Sequence, residues 1–225
     1  MESKKEMKSP YKSSLTIPAG NVSLEGELVI PFEAKGLIVF AHGSGSGRFS
    51  ARNNMVASKL RQHLFGTLLF DLLTEREDTQ YENRFDIGLL TNRLVQVTHW
   101  LKQHEITKSL PVAYFGASTG AASALRAAAE LKDHVKAVVS RGGRPDLAMD
   151  RLASVNCPVL LIVGSLDTDV ITLNQLALRK IGSDDKELEI VPGASHLFEE
   201  PGKLEKVADL AIGWYEQFVP DKLLV

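Results

Sequence analysis

Two kinds of hydrophobic pattern follow one another along the 225-residue chain. Near the start, apolar and polar positions alternate singly, at Val22, Leu24, Gly26 and Leu28. A second short run, Ser14-Leu15-Thr16-Ile17-Pro18, precedes them across Ala19-Gly20-Asn21. Two such runs joined at a Gly-Asn turn predict an antiparallel hairpin. From Gly36 onward the apolar residues come in unbroken runs, at 36–41, 67–70, 112–115, 135–139, 159–163 and, more weakly, 188–191. Short β-branched runs without alternation are the mark of strands covered on both faces. Between them lie helical spacings at 51–64, 85–105, 119–132, 170–181 and 203–219. Strand and helix in alternation imply parallel crossovers. The expected fold is therefore α/β, a mostly parallel doubly wound sheet with an N-terminal antiparallel hairpin. Residues 1–12 read as a disordered lead-in and 13–225 as a single domain.

Composition narrows the function classes. Lys and Arg number 26 and Asp and Glu 28, a net charge of −2, so neither nucleic acid nor an anionic membrane surface is an expected partner. The single cysteine, Cys157, excludes an intramolecular disulfide and a cysteine-based metal cluster. The polar N-terminus has no signal-peptide pattern, and no apolar run reaches the length of a membrane span. A cytoplasmic protein is the expectation, a monomer or homodimer.

In open parallel sheets, ligands bind beyond the carboxyl ends of the strands. The residues after each apolar run are therefore the informative ones. They are His42-Gly43-Ser44-Gly45-Ser46-Gly47, then Gly116-Ala117-Ser118-Thr119-Gly120, then Gly164-Ser165-Leu166-Asp167-Thr168-Asp169, and last Pro192-Gly193-Ala194-Ser195-His196. One sheet edge thus collects a glycine-rich loop, a serine, an aspartate and a histidine. Gly-x-Ser-x-Gly between a buried strand and an alanine-rich helix fits a nucleophile on a sharp turn. A serine hydroxyl is a poor nucleophile without a base, and the base needs an orienting carboxylate. His196 is the histidine that follows a late strand; His63, His99, His104 and His134 fall in helices or connections. Asp167 comes sooner after its strand than Asp169, which suits a helix cap better.

The order Ser118, Asp167, His196 resembles that of the α/β-hydrolase superfamily, and specifically its small, cap-less dienelactone-hydrolase-like members. The resemblance spans residues 14–219 and rests on the four motifs just quoted. It implies a serine hydrolase acting on carboxylic esters or thioesters of small acyl groups through an acyl-enzyme. No cofactor or metal is implied. The backbone N–H groups of Ser44 and Thr119 would form the oxyanion hole, with His42 bracing the loop. Well-studied dienelactone hydrolases use a cysteine nucleophile, whereas this chain places Ser118 at the elbow and Cys157 elsewhere. Only 18 residues separate Ser140 from Val159, too few for a cap, so an open site and a small-molecule ester are expected. The same motifs could serve a cofactor-free haloperoxidase or a non-enzymatic binding module. Arg141 and Arg144 follow a core strand near this edge and are candidates to clamp an anionic substrate group, with Arg48 and Arg52 as further contributors.

Overall fold

The computed structural model describes residues 9–219. Strands β1 (Tyr11–Ala19) and β2 (Val22–Ile30) form the hairpin that the alternation predicts. It starts earlier than expected: Tyr11 and Lys12, assigned to the lead-in from sequence, pair with Ile30 and Val29. The lead-in reading of residues 1–8 lies outside the described residues, as do residues 220–225.

The unbroken apolar runs become β3 (Gly36–Ala41), β4 (Phe65–Phe70), β5 (Val112–Ala117), β6 (Val135–Arg141), β7 (Val159–Gly164) and β8 (Lys186–Val191). The eight strands form one sheet in the order β1-β2-β4-β3-β5-β6-β7-β8. The pairs β1–β2 and β2–β4 are antiparallel and all others parallel. Every residue of β3, β4, β5 and β7 is buried, as two covered faces require. One layer is α1 (Ala51–Gln62) with α6 (Lys203–Phe218), packed on Ile38, Phe40, Phe115 and Val139. The other is α3 (Ile87–Gln103), α4 (Thr119–Leu131) and α5 (Thr168–Lys180), packed on Val39, Tyr114, Val138 and Leu161. One element escaped the hydrophobic pattern and another left only a faint trace in it. The charged stretch after β4 forms a short helix, α2 (Glu75–Asp78), closed by a Thr74–Glu77 capping box. The edge strand β8 is only partly buried, which explains its weak apolar signal.

The connection leaving β3 runs to β4 on one side, and that leaving its neighbour β5 runs to β6 on the other. The crevice between these neighbours at their carboxyl ends is the switch point where open sheets gather ligands. The His42 loop and the Ser118 turn face each other there. Among the described residues no helix is long and apolar enough to cross a membrane.

Candidate active site

Ser118 joins β5 to α4 with φ 50° and ψ −122°, a conformation that costs a non-glycine residue about 1–3 kcal/mol. The surroundings hold it there. Its N–H donates to Arg141 O at 3.3 Å, and its carbonyl accepts from Ala121 N and Arg144 N, both at 3.1 Å. The turn also needs small neighbours. A Cβ on Gly120 would stand 2.1 Å from Ala41 O, so no side chain fits between α4 and β3. The alanines of α4 let the helix lie close against the sheet, with its N-terminus behind the serine.

His196 and Asp167 arrive from adjacent strands. His196 Nδ1 lies 2.6 Å from Asp167 Oδ2. Asp167 occupies the N-cap position of α5, yet its side chain makes no capping bond and turns to the imidazole instead. Asp169, the alternative, sits in the first turn of that helix. The two loops interlock. Leu166 N–H donates to Ala194 O at 3.0 Å and Gly193 N–H to Ser165 Oγ at 2.7 Å. Their approach depends on Gly164, where a Cβ would fall 2.2 Å from Ala194 O. The histidine loop is further tied by Ser195 N–H, which donates to both Glu200 carboxylate oxygens at 3.1 Å, and by the buried Phe198 ring. The Ser195 contacts hold the Glu200 carboxyl below its usual range.

The imidazole also lies over the strand that carries Arg141. A Cβ on Gly142 would stand 3.5 Å from both Cε1 and Nδ1 of His196. Ser118 and His196 therefore contact consecutive residues, Arg141 and Gly142. Among the described residues the Ser118 hydroxyl finds no hydrogen-bond partner within 3.5 Å. Such contacts are commonly long before substrate binds.

Across the crevice, His42 braces its loop. Its Nε2 accepts from Leu72 N–H and its Nδ1–H donates to Gly43 O, both at 2.9 Å. Burial holds its pKa below the ordinary histidine value, so the ring is neutral, as these two bonds require. Gly43 approaches Ser118 closely; a Cβ there would meet the serine Cβ at 3.1 Å. Ser44 N–H does not stand free. It donates to the Thr119 hydroxyl at 3.0 Å. Thr119 N–H, at the start of α4, has no partner among the described residues.

The arginines separate into two groups. Arg144, a candidate clamp from sequence, is closed on Asp146 through two 2.8 Å bonds, so its fork is already occupied. Arg48 is likewise held, by Asp71. Arg141 is buried and has no carboxylate; it reaches Asn53 Oδ1 at 3.4 Å. Asn53, buried on the inner face of α1, drew no attention in the sequence because nothing in its local pattern marks it.

Residues 25–217 match the dienelactone hydrolase family. The chain belongs to that family. A crystal structure of a dienelactone hydrolase from Anabaena variabilis is 50% identical and superposes with a TM-score of 0.91, covering 94% of this chain and 100% of that one. Est1E from Butyrivibrio proteoclasticus, 16% identical with a TM-score of 0.78 over 91% of this chain and 98% of its own, shares the fold. A Mycobacterium tuberculosis protein that carries the name "Putative phosphoribosyl transferase" is 56% identical over 199 residues. The match takes in 88% of this chain and 45% of that protein, so the chain spans less than half the length of this relative. In this family member a serine, Ser118, stands at the turn between β5 and α4. Burial pushes the Cys157 thiol up to about 12, so that sulfur is no thiolate at neutral pH.

Proposed function

We propose that the chain is a serine hydrolase that cleaves carboxylic esters or thioesters of small acyl groups through a covalent acyl-enzyme. The observation that carries this reading is the 2.6 Å contact between His196 Nδ1 and Asp167 Oδ2, at the sheet edge that also carries a serine held in a strained turn. An imidazole that donates Nδ1–H to a carboxylate keeps Nε2 as an acceptor. Nε2 takes the Ser118 proton as Oγ attacks the acyl carbonyl, then returns it to the leaving alkoxide or thiolate. Water, deprotonated by the same nitrogen, releases the acid. Asp167 holds the ring and stabilises its charged form.

The tetrahedral oxyanion is met by Thr119 N–H at the positive end of α4 and by Ser44 N–H once the Thr119 hydroxyl yields it. A single such donor is worth about 3 kcal/mol. The phosphoribosyl transferase name of the mycobacterial relatives is not carried over, because it describes proteins of which this chain matches under half.

A second reading, a hydrolase-like binding module, draws on the Ser118 hydroxyl's lack of a hydrogen bond. One experiment separates the two. Hydrolysis of 4-nitrophenyl acetate and butyrate is followed for the wild type, Ser118→Ala and His196→Ala. The hydrolase reading expects turnover that falls by about 10³-fold or more in each variant. A folded wild type with no turnover above buffer supports the binding module.

A further inference from the structure

The two buried threonines of α3 send their hydroxyls back along the helix. Thr91 Oγ1–H donates to Ile87 O at 2.6 Å and Thr98 Oγ1–H to Leu94 O at 2.8 Å, each one turn earlier. Thr119 has no turn behind it. It is the first residue of α4, directly after the strained Ser118, and is only 4% exposed. Its Oγ1 accepts the Ser44 N–H at 3.0 Å, and its own proton reaches no acceptor among the described residues. The Ser118 hydroxyl, the Thr119 N–H and the Thr119 O–H thus all stand without an acceptor at the elbow.

The place of the Thr119 oxygen is as informative as its bond. An oxyanion hole holds its donors about 2.7–3.1 Å from where the oxyanion settles. The Thr119 oxygen stands at that distance from Ser44 N–H, the second backbone donor of the proposed mechanism. It is a proxy for a substrate carbonyl oxygen, supplied by the protein's own side chain. Packing fixes the arrangement. At Gly120 the start of α4 closes on the end of β3, where a Cβ would meet Ala41 O at 2.1 Å and His42 O at 2.4 Å. The loop is anchored from the other side by the bond from Leu72 N–H to His42 Nε2.

We propose that the Thr119 side chain is a switch in the oxyanion site: its hydroxyl fills the site at rest, is displaced by the substrate carbonyl oxygen, and then donates its own O–H to the oxyanion beside the two backbone N–H groups. This deepens the hydrolase reading and rests on it. Threonine suits the task because two χ1 rotamers are open to it in a helix. The residues that follow, Gly120, Ala121 and Ala122, have no side-chain acceptor to capture the freed hydroxyl. The hydroxyl keeps its proton throughout. The negative charge formed as Ser118 Oγ attacks is shared among three donors and returns to the carbonyl when the leaving group departs. Exchanging the threonine oxygen for a substrate carbonyl oxygen swaps one neutral acceptor for another. The oxyanion is a charged acceptor, roughly twice as strong. The switch therefore acts on kcat rather than on KM.

The test uses Thr119→Val, which removes the hydroxyl and keeps the shape, and Thr119→Ser, which keeps the hydroxyl. With 4-nitrophenyl acetate, Thr119→Val should lower kcat about 20-fold and leave KM within about 2-fold of the wild type. Removing an ordinary oxyanion donor costs roughly 10²–10³-fold; the loss is smaller here because Thr119→Val also leaves Ser44 N–H free from the start. Thr119→Ser should recover most of the lost rate. Inhibition by a trifluoromethyl ketone, which the serine converts to an anionic hemiketal, should weaken in Thr119→Val by the same factor as kcat. Thr119→Ala repeats both measurements without the β-branch, should thermal melts show Thr119→Val unfolded. Wild-type or higher kcat in the folded variant, or equal losses in Thr119→Val and Thr119→Ser, overturns the switch and leaves the hydrolase reading standing. A folded wild type with neither turnover nor ketone binding overturns the hydrolase reading, and the switch with it.

Discussion

Arg93 and Arg141 are sealed almost equally, at 5% and 7% exposure, in opposite regions of the sheet, and they are provisioned differently. Arg93, on α3, gives Nη1 to Ala19 O at 2.8 Å and Nη2 to Glu77 at 2.6 Å. It ties the end of β1 to α2 and closes the antiparallel edge. Burial works against the Glu77 charge, but the Thr74 backbone and the Arg93 guanidinium outweigh it and hold that carboxyl below its ordinary range. Arg141, at the carboxyl end of the parallel strands, has only a neutral amide. A charge that serves the fold is matched inside the fold. A charge left unmatched next to a strained serine is retained at a cost to stability, and such costs concentrate at functional sites.

The largest effect that separates the regions is on chemistry. Ser118→Ala should lower turnover by about 10³-fold or more and leave the melting temperature within a few degrees, since the side chain makes no bond to lose. A large drop in stability with retained turnover would place the chemistry elsewhere. The next effect falls on the other region. Arg93→Met leaves Glu77 only its Thr74 contacts and should cost about 3 kcal/mol in denaturant unfolding, against about zero or a small gain for Arg141→Met. Equal costs would erase the distinction.

The smallest effect concerns the His42 brace. Burial depresses its pKa, so the unfolded chain takes up the proton first. Its contribution is full above the unfolded value of about 6.5 and is lost as pH falls from there toward the folded value, by at most ~1.4 kcal/mol per pH unit. Stability measured between pH 7 and 5 should decline, and His42→Gln should flatten that decline. An unchanged slope would mean the ring is not held neutral.

Much of this was legible along the chain. The central strands could be read because two-sided burial leaves few polar residues to blur them. Ser118, Asp167 and His196 could be expected on one edge because each follows a parallel strand, and parallel strands end together. The Thr74–Glu77 capping box is also present as a Thr-x-x-Glu spacing, though the charged stretch it opens carries no hydrophobic pattern to mark a helix. The fates of the arginines were not legible. Arg144 finds its acid two residues away, whereas the Arg141 environment depends on Asn53, 88 positions distant, and on how α1 docks. The Ser44 N–H bond to Thr119, across 75 positions, is hidden for the same reason. Local spacing fixes which edge a residue reaches, and tertiary docking decides which partners it meets there.

The most direct test of the central claim is to trap the acyl-enzyme. The wild-type protein is mixed with a slowly hydrolysed 4-nitrophenyl ester, quenched in acid, and read by intact mass and peptide mapping. The account predicts one acyl group per chain on the peptide that contains Ser118, absent in Ser118→Ala and strongly reduced in His196→Ala. An adduct on Cys157, or unchanged acylation in Ser118→Ala, would contradict it.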